Sequence, residues 1–199
     1  MMNLSLLEIA KACGGKLILA KCEGGHCRQD GLDIGIQCEN DTCVTSVVLD
    51  SRKVEEGGVF VATLGERVDG HKFLADIFAK GAALALVQKT PGQVEAEHGI
   101  DPALWGNYCL VDDTLQALKN IAAYYRSKLS AKIIGITGSV GKTSTKEFIA
   151  GVLSEKYHVL KTEGNFNNEI GVPLTLLRIR PELEIGVVEM GISYFVDMS

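Results

Sequence analysis

Lys132-Ile133-Ile134-Gly135-Ile136-Thr137-Gly138-Ser139-Val140-Gly141-Lys142-Thr143-Ser144 is the stretch on which the reading of this chain turns. An apolar run of strand character feeds a glycine turn, and Lys142-Thr143 then opens a helical pattern. Strand, loop and helix in that order are the context of a phosphate-binding loop. Gly138 and Gly141 let the backbone approach an anion with N–H groups pointing inward, and the helix starting near Lys142 adds the positive end of its dipole. On this reading Gly138, Ser139, Val140, Gly141, Lys142, Thr143 and Ser144 cradle a triphosphate. Lys142 reaches the β and γ phosphates, and Thr143 offers its hydroxyl to Mg2+. The full pattern G-x-x-x-x-G-K-[ST] would need a glycine where Ile136 stands, so only the shorter G-x-x-G-K-T is present. The competing reading is an ordinary turn between a strand and a helix.

With 199 residues, 46% of them hydrophobic, the chain can bury one large core or two small ones. Acidic residues outnumber basic ones 25 to 20, a net charge of -5, which provides no basic field for a nucleic acid or an acidic membrane surface. No apolar run approaches the roughly 20 residues of a membrane span, and Glu8 and Lys11 interrupt any signal-peptide core. The expected location is cytoplasmic, with neither nucleic acid nor membrane as partner.

Ser5-Leu6-Leu7-Glu8 reads as a capping box, followed by Ile9, Ala10 and Cys13 at helical spacing and stopped by Gly14-Gly15. Cys13 falls on the apolar side, where a buried, inert thiol is expected. Two C-x4-C pairs, Cys22/Cys27 and Cys38/Cys43, follow with His26 inside the first. Four thiolates can close a tetrahedral zinc site, although C-x2-C is the commoner knuckle; a cysteine-rich surface hairpin is the alternative, and a disulfide is disfavoured in a reducing compartment.

Val44 to Asp50 reads as a strand ended by Asp50-Ser51-Arg52, and Val59 to Ala62 as a second. Phe73, Leu74, Ile77 and Phe78 give a helix face, and Ala82 to Val87 a buried strand. Ser51, Arg52, Asp69 and His71 stand at strand ends and turns, where ligand-binding groups collect and where such residues also serve as plain turn formers. A guanidinium beside a hydroxyl suits a phosphate or a sugar. Residues 90–107 read as irregular, Tyr108 to Val111 as a strand, and Asp112-Asp113-Thr114 as the cap of a helix that leads to the phosphate loop, with a domain boundary near Ser130.

Beyond the loop a helix runs to Glu155 with Phe148, Ile149, Val152 and Leu153 expected inward, and His158 to Lys161 forms a short strand. A loop over 162–173 then carries Asn165, Asn167 and Asn168, suited either to solvent or to fixed hydrogen bonds with a polar substrate. Ile185 to Val188 is strand-like, with Glu189 at its carboxyl end, where ligands gather in open α/β sheets and a carboxylate can hold Mg2+.

Three runs in this order and spacing resemble the Mur ligases of peptidoglycan synthesis: Ile136 to Thr143, Gly164-Asn165-Phe166-Asn167-Asn168-Glu169-Ile170-Gly171-Val172-Pro173-Leu174-Thr175, and Glu189-Met190-Gly191. Upstream, Asp50-Ser51-Arg52, Gly58 to Ala62 and Asp69-Gly70-His71-Lys72-Phe73 resemble the uridine-nucleotide-binding domain of that family. The resemblance accounts for the shortened loop. It implies an α/β chain in which a small amino-terminal UDP-muramoyl-binding domain (1–111) and a linker helix (112–130) precede the start of a P-loop ATP-binding domain (131–199). The asparagine run is similar to that of members adding D-alanyl-D-alanine to UDP-N-acetylmuramoyl-tripeptide with ATP and Mg2+. The sister reaction, addition of the third amino acid, and a non-catalytic nucleotide-binding module are the alternatives. The implied roles are Lys142 on the phosphates, Thr143 and Glu189 on Mg2+, Ser51 and Arg52 at the UDP end with Asp69 and His71 nearby, and Asn165, Asn167 and Asn168 along the muramoyl peptide. Because whole family members continue into the rest of the central domain and a third domain that presents the amine, the resemblance also implies that these 199 residues are an incomplete piece, inactive alone.

Overall fold

The computed structural model describes residues 4–20, 43–65 and 68–191. Cys22, His26, Cys27 and Cys38, on which the zinc and hairpin readings rest, lie outside the described residues. The chain divides into two compact units, 1–117 and 118–199, and the division falls inside a helix ahead of Ser130.

The first unit opens with α1 (Leu6–Cys13), and the expected capping box is present: Ser5 N donates to Glu8 Oε2 at 2.9 Å while Glu8 N donates to Ser5 Oγ at 3.3 Å. Gly14, at φ 67°, ends the helix in the left-handed conformation. A strand that sequence patterning missed, β1 (Lys16–Ile18), follows and pairs antiparallel with β5 (Tyr108–Leu110). The remaining strands are β2 (Val47–Val48), β3 (Val59–Val61) and β4 (Leu84–Val87), and the sheet order is β1-β5-β4-β3-β2, parallel from β2 through β5. Every residue of β3 and β4 is buried, as expected of strands covered on both faces. Phe60, Ala62, Ala85 and Val87 pack there with Leu74 and Ile77 of α2 (Leu74–Ala79).

Two expectations are corrected in this unit. β2 is shorter than the predicted 44–50 strand because the Asp50 side chain accepts the Arg52 N–H at 3.0 Å and folds Ser51–Lys53 into a 3-10 turn. Residues 90–107 are also not irregular: α3 (Pro91–His98) starts with proline in its first turn, Thr90 N donates to Gln93 Oε1 at 2.8 Å, and Gly99 closes it at φ 67°. Only Val94 of this helix is buried, so no apolar stripe announced it.

Helix α4 (Thr114–Lys128) is capped by Asp113, whose Oδ1 accepts from Leu115 N and Gln116 N at 2.7 and 3.0 Å. The second unit is a three-stranded parallel sheet in the order β6-β8-β7, made of β6 (Lys132–Ile136), β7 (Val159–Lys161) and β8 (Ile185–Glu189). Helix α5 (Lys142–Ser154) links β6 to β7, and α6 (Gly171–Leu177) links β7 to β8. Parallel registration sets Ile136 opposite Glu189, so the loop leaving β6 emerges beside the carboxyl end of β8.

Two further corrections concern these helices. Phe148 and Val152 face outward, 75% and 74% exposed, because the sheet takes the stripe of Lys146, Ile149, Ala150 and Leu153 instead. The predicted loop over 162–173 ends early, since Gly171-Val172-Pro173 is the first turn of α6, where proline costs no intrahelical bond. Among the described residues no helix is long and apolar enough to cross a membrane.

Candidate functional site

The site grows from the β6–β8 register. Gly138, at φ 140°, and Gly141, at φ 78°, take backbone conformations that side chains resist, and Gly141 is the N-cap residue of α5. Ser139, Val140, Gly141, Thr143 and Ser144 are exposed, so the loop opens to solvent with the helix N-terminus behind it. Lys142 Nζ folds back over the loop and donates to Gly138 O at 2.8 Å.

Facing the loop is Glu189, whose side chain is buried at the end of β8. Its carboxylate accepts from Thr143 Oγ1 at 3.1 and 3.3 Å and from Asn167 Nδ2 at 2.8 Å, and lies 3.5 Å from Lys146 Nζ. Its backbone N–H donates to Thr162 Oγ1 at 2.9 Å, which locks the strand end. Burial works to raise the carboxyl, but the Asn167 and Thr143 hydrogen bonds and the Lys146 charge outweigh it and hold the group below the ordinary value. The result is an anionic carboxylate beside a hydroxyl at a phosphate-loop mouth, a hard-oxygen pair suited to Mg2+.

Lys146 is the residue that sequence reading missed. It is buried, with its ammonium shared among Glu189, the Gly164 carbonyl at 3.3 Å and Glu147 at 3.5 Å. The available signal was its position one turn after Lys142 on α5.

The three asparagines separate by role. Asn167 holds Glu189 by its side chain, and its carbonyl accepts the Gly191 N–H at 2.6 Å. Asn168 Oδ1 accepts from Ile170 N and Gly171 N at 3.2 and 2.7 Å and starts α6. Asn165 is exposed at the turn. Gly171 is required where it stands, since a Cβ there would lie 2.4 Å from the Phe166 backbone.

In the first unit, Arg52 is exposed and forks onto Asp50 at 2.9 and 2.8 Å, and that hydrogen-bonded pairing lowers the Asp50 carboxyl to about 2. Ser51 is half-buried, and its carbonyl accepts from Lys80 Nζ at 2.8 Å. His71 is fully buried: its Nε2 accepts the Gln88 N–H at 3.0 Å, so the proton sits on Nδ1, 2.6 Å from Asp69 Oδ1. Burial holds His71 neutral against the pull of Asp69. Asp69 Oδ2 also takes Lys89 Nζ at 2.8 Å and His98 Nε2 at 2.9 Å; these partners overcome its desolvation and push its carboxyl well down. Asp69 and His71 thus brace one another within the fold, while Ser51 and Arg52 sit at its surface.

Comparison with known proteins agrees with both units. Residues 136–198 match the Mur ligase middle domain, and residues 44–126 match the Mur ligase family, catalytic domain. Over 152 residues, 76% of this chain, the sequence is 43% identical to UDP-N-acetylmuramoyl-tripeptide--D-alanyl-D-alanine ligase of Bacillus subtilis. A crystal structure of MurF from Acinetobacter baumannii superposes with a TM-score of 0.71 at 32% identity, over 94% of this chain and 35% of that one. MurF ligase from Thermotoga maritima in complex with ADP superposes with a TM-score of 0.61 at 36% identity, over 73% of this chain and 32% of that one. The chain spans about a third of the length of the relatives it matches.

Proposed function

This chain belongs to the Mur ligase family, and from that premise we propose that it contributes the uridine-nucleotide-binding and phosphate-binding parts of a ligase that joins D-alanyl-D-alanine to UDP-N-acetylmuramoyl-tripeptide at the expense of ATP. The observation that carries the reading is the placement of Thr143 and the Gly138–Thr143 loop against a buried Glu189 that Asn167 and Lys146 hold ionised. The Bacillus subtilis relative is named for the dipeptide-adding reaction, which favours it over addition of the third amino acid.

In this mechanism the tripeptide carboxylate attacks the γ phosphorus of ATP, giving an acyl phosphate and ADP. The amine of D-alanyl-D-alanine then attacks the acyl carbon, phosphate leaves, and the nitrogen loses its proton. Lys142 leaves the Gly138 carbonyl to take the β and γ phosphate oxygens, and the loop N–H groups donate to the remaining phosphate oxygens. Thr143 Oγ1 and the Glu189 carboxylate are the oxygens that would hold Mg2+, which when bound offsets charge on the transferring phosphoryl group. Asn167 and Lys146 fix Glu189 in one orientation, and Asn165 and Asn168 line the approach of the muramoyl peptide.

Ser51 and Arg52 take the UDP end, Arg52 exchanging its fork on Asp50 for a phosphate, while Asp69 and His71 shape the turn from behind. In this account residues 1–111 are the UDP-muramoyl domain, 112–130 the linker helix and 131–199 the start of the ATP-binding domain. Nucleotide and nucleotide-sugar substrates place the reaction in the cytoplasm, with neither nucleic acid nor membrane as partner.

The test is a chimera in which these residues replace their counterparts in the Bacillus subtilis relative. Given ATP, Mg2+ and both substrates, it should form UDP-N-acetylmuramoyl-pentapeptide, seen by mass spectrometry, and Lys142→Ala should abolish the product. A folded chimera that binds ATP and makes none contradicts the assignment.

A further inference from the structure

We infer that Cys13 and Cys109 form an oxidisable thiol pair, a modification site at which a peroxide produces a disulfide tying the end of α1 to the middle of β5. The two Sγ atoms lie 3.8 Å apart, at van der Waals contact. Cys13 is the last residue of α1, and Cys109 is the central residue of β5. Closing to a disulfide asks the sulfurs to approach from 3.8 Å to ~2.05 Å, and Cys13 stands at a helix end, directly before the left-handed Gly14.

The surroundings divide the chemistry between the two thiols. Cys109 has no exposure, and Gly15 walls its sulfur so closely that a Cβ there would lie 2.4 Å from Sγ. Cys13 is partly exposed rather than buried as its place on the apolar side predicts, so oxidant arrives at Cys13. The contact with Cys109 draws the Cys13 thiol below its ordinary value against burial, while the same contact and burial push Cys109 up; Cys13 Sγ also reaches the Ala10 carbonyl at 3.5 Å.

The sequence of bonds follows. The Cys13 thiolate attacks one oxygen of hydrogen peroxide, the O–O bond breaks, and hydroxide leaves and takes up a proton as water, giving a sulfenic acid. The Cys109 sulfur then attacks the Cys13 sulfur, the S–O bond breaks, and the departing hydroxyl leaves with the thiol proton as a second water. Two thiols lose two electrons and one peroxide gains them. The product constrains the unfolded chain between α1 and β5 and so stabilises the first unit.

The chain is treated with one equivalent of hydrogen peroxide at pH 7.5, alkylated with N-ethylmaleimide under denaturing conditions and mapped by peptide mass spectrometry. The expected result is a Cys13–Cys109 cross-linked peptide that dithiothreitol resolves, with a raised thermal midpoint before reduction. Cys109→Ala should instead accumulate a Cys13 sulfenic acid that dimedone traps, and Cys13→Ser should leave Cys109 unoxidised. Recovery of both residues as alkylated free thiols after peroxide overturns the inference, as does Cys13 bridged to any other cysteine.

Discussion

Lys146 Nζ stands 3.5 Å from the Glu189 carboxylate, and both side chains are 1–2% exposed, so a lysine of the phosphate-loop helix and a carboxylate of the adjacent strand form a buried ion pair. Removing one partner of such a pair leaves an uncompensated charge in the interior, a loss of about 3–5 kcal/mol. Lys146→Met should therefore lower the unfolding free energy by about that amount, moderated by the Asn167 and Thr143 bonds to Glu189. Lys146→Met combined with Glu189→Leu should recover most of it. Urea denaturation of the two single variants and the double variant checks the coupling; strict additivity would show that the pair does not interact.

Lys146 also marks where sequence reading stopped. The β6 strand, the loop and α5 were legible because an apolar run, two glycines and Lys-Thr carry distinct backbone demands. Glu189 was legible from its place at a strand end. A lysine on a helix reads as solvent-facing unless the partner strand is known, and the partner came from the β6–β8 register, which no local pattern encodes. Phe148 and Val152 failed for the same reason: α5 carries apolar residues on two faces, and only the sheet selects one. In the first unit α3 was missed for lack of an apolar stripe, β1 because three residues are too short to show alternation. Asp69 and His71 were found as polar turn residues, but their enclosure depends on Gln88, Lys89 and His98, distant in sequence.

Because Phe148 is 75% exposed, Phe148→Ser should change the stability of this chain by no more than about 0.5 kcal/mol, whereas Ala150→Ser, on the buried stripe, should cost more than that. Urea midpoints decide between the faces; a larger loss at Phe148 would return it to the core.

Gly171→Ala should disturb the asparagine loop, since its Cβ would meet the Phe166 backbone at 2.4 Å. A cost of about 1–3 kcal/mol is expected, with faster amide hydrogen exchange over 164–171. Exchange unchanged from the parent chain would show that the loop absorbs the methyl group.

Acid should destabilise the first unit through two groups. His71 is held neutral by burial, so its folded value lies below its unfolded one, and the stability it contributes is present above about pH 6.5 and lost as pH falls below that. Asp69 is depressed by its partners despite desolvation, so its contribution is present above about pH 4 and lost as pH falls further. His71→Ala should start from a lower thermal midpoint and lose less between pH 7.5 and 5.5 than the parent chain. Equal slopes in the two proteins would remove His71 from the acid response.

The central claim is that Lys142, Thr143 and Glu189 form one magnesium-nucleotide site, and isothermal calorimetry with ATP tests it most directly. With Mg2+ present the chain should bind ATP, and Lys142→Ala should weaken binding by at least about tenfold, or ~1.4 kcal/mol, because in the proposed site its ammonium would face two phosphates. Chelating Mg2+ should weaken binding to the parent chain but leave Glu189→Gln, already weakened, nearly unaffected. Equal ATP affinity in the parent chain and Lys142→Ala, or a magnesium dependence that survives Glu189→Gln intact, would contradict the account.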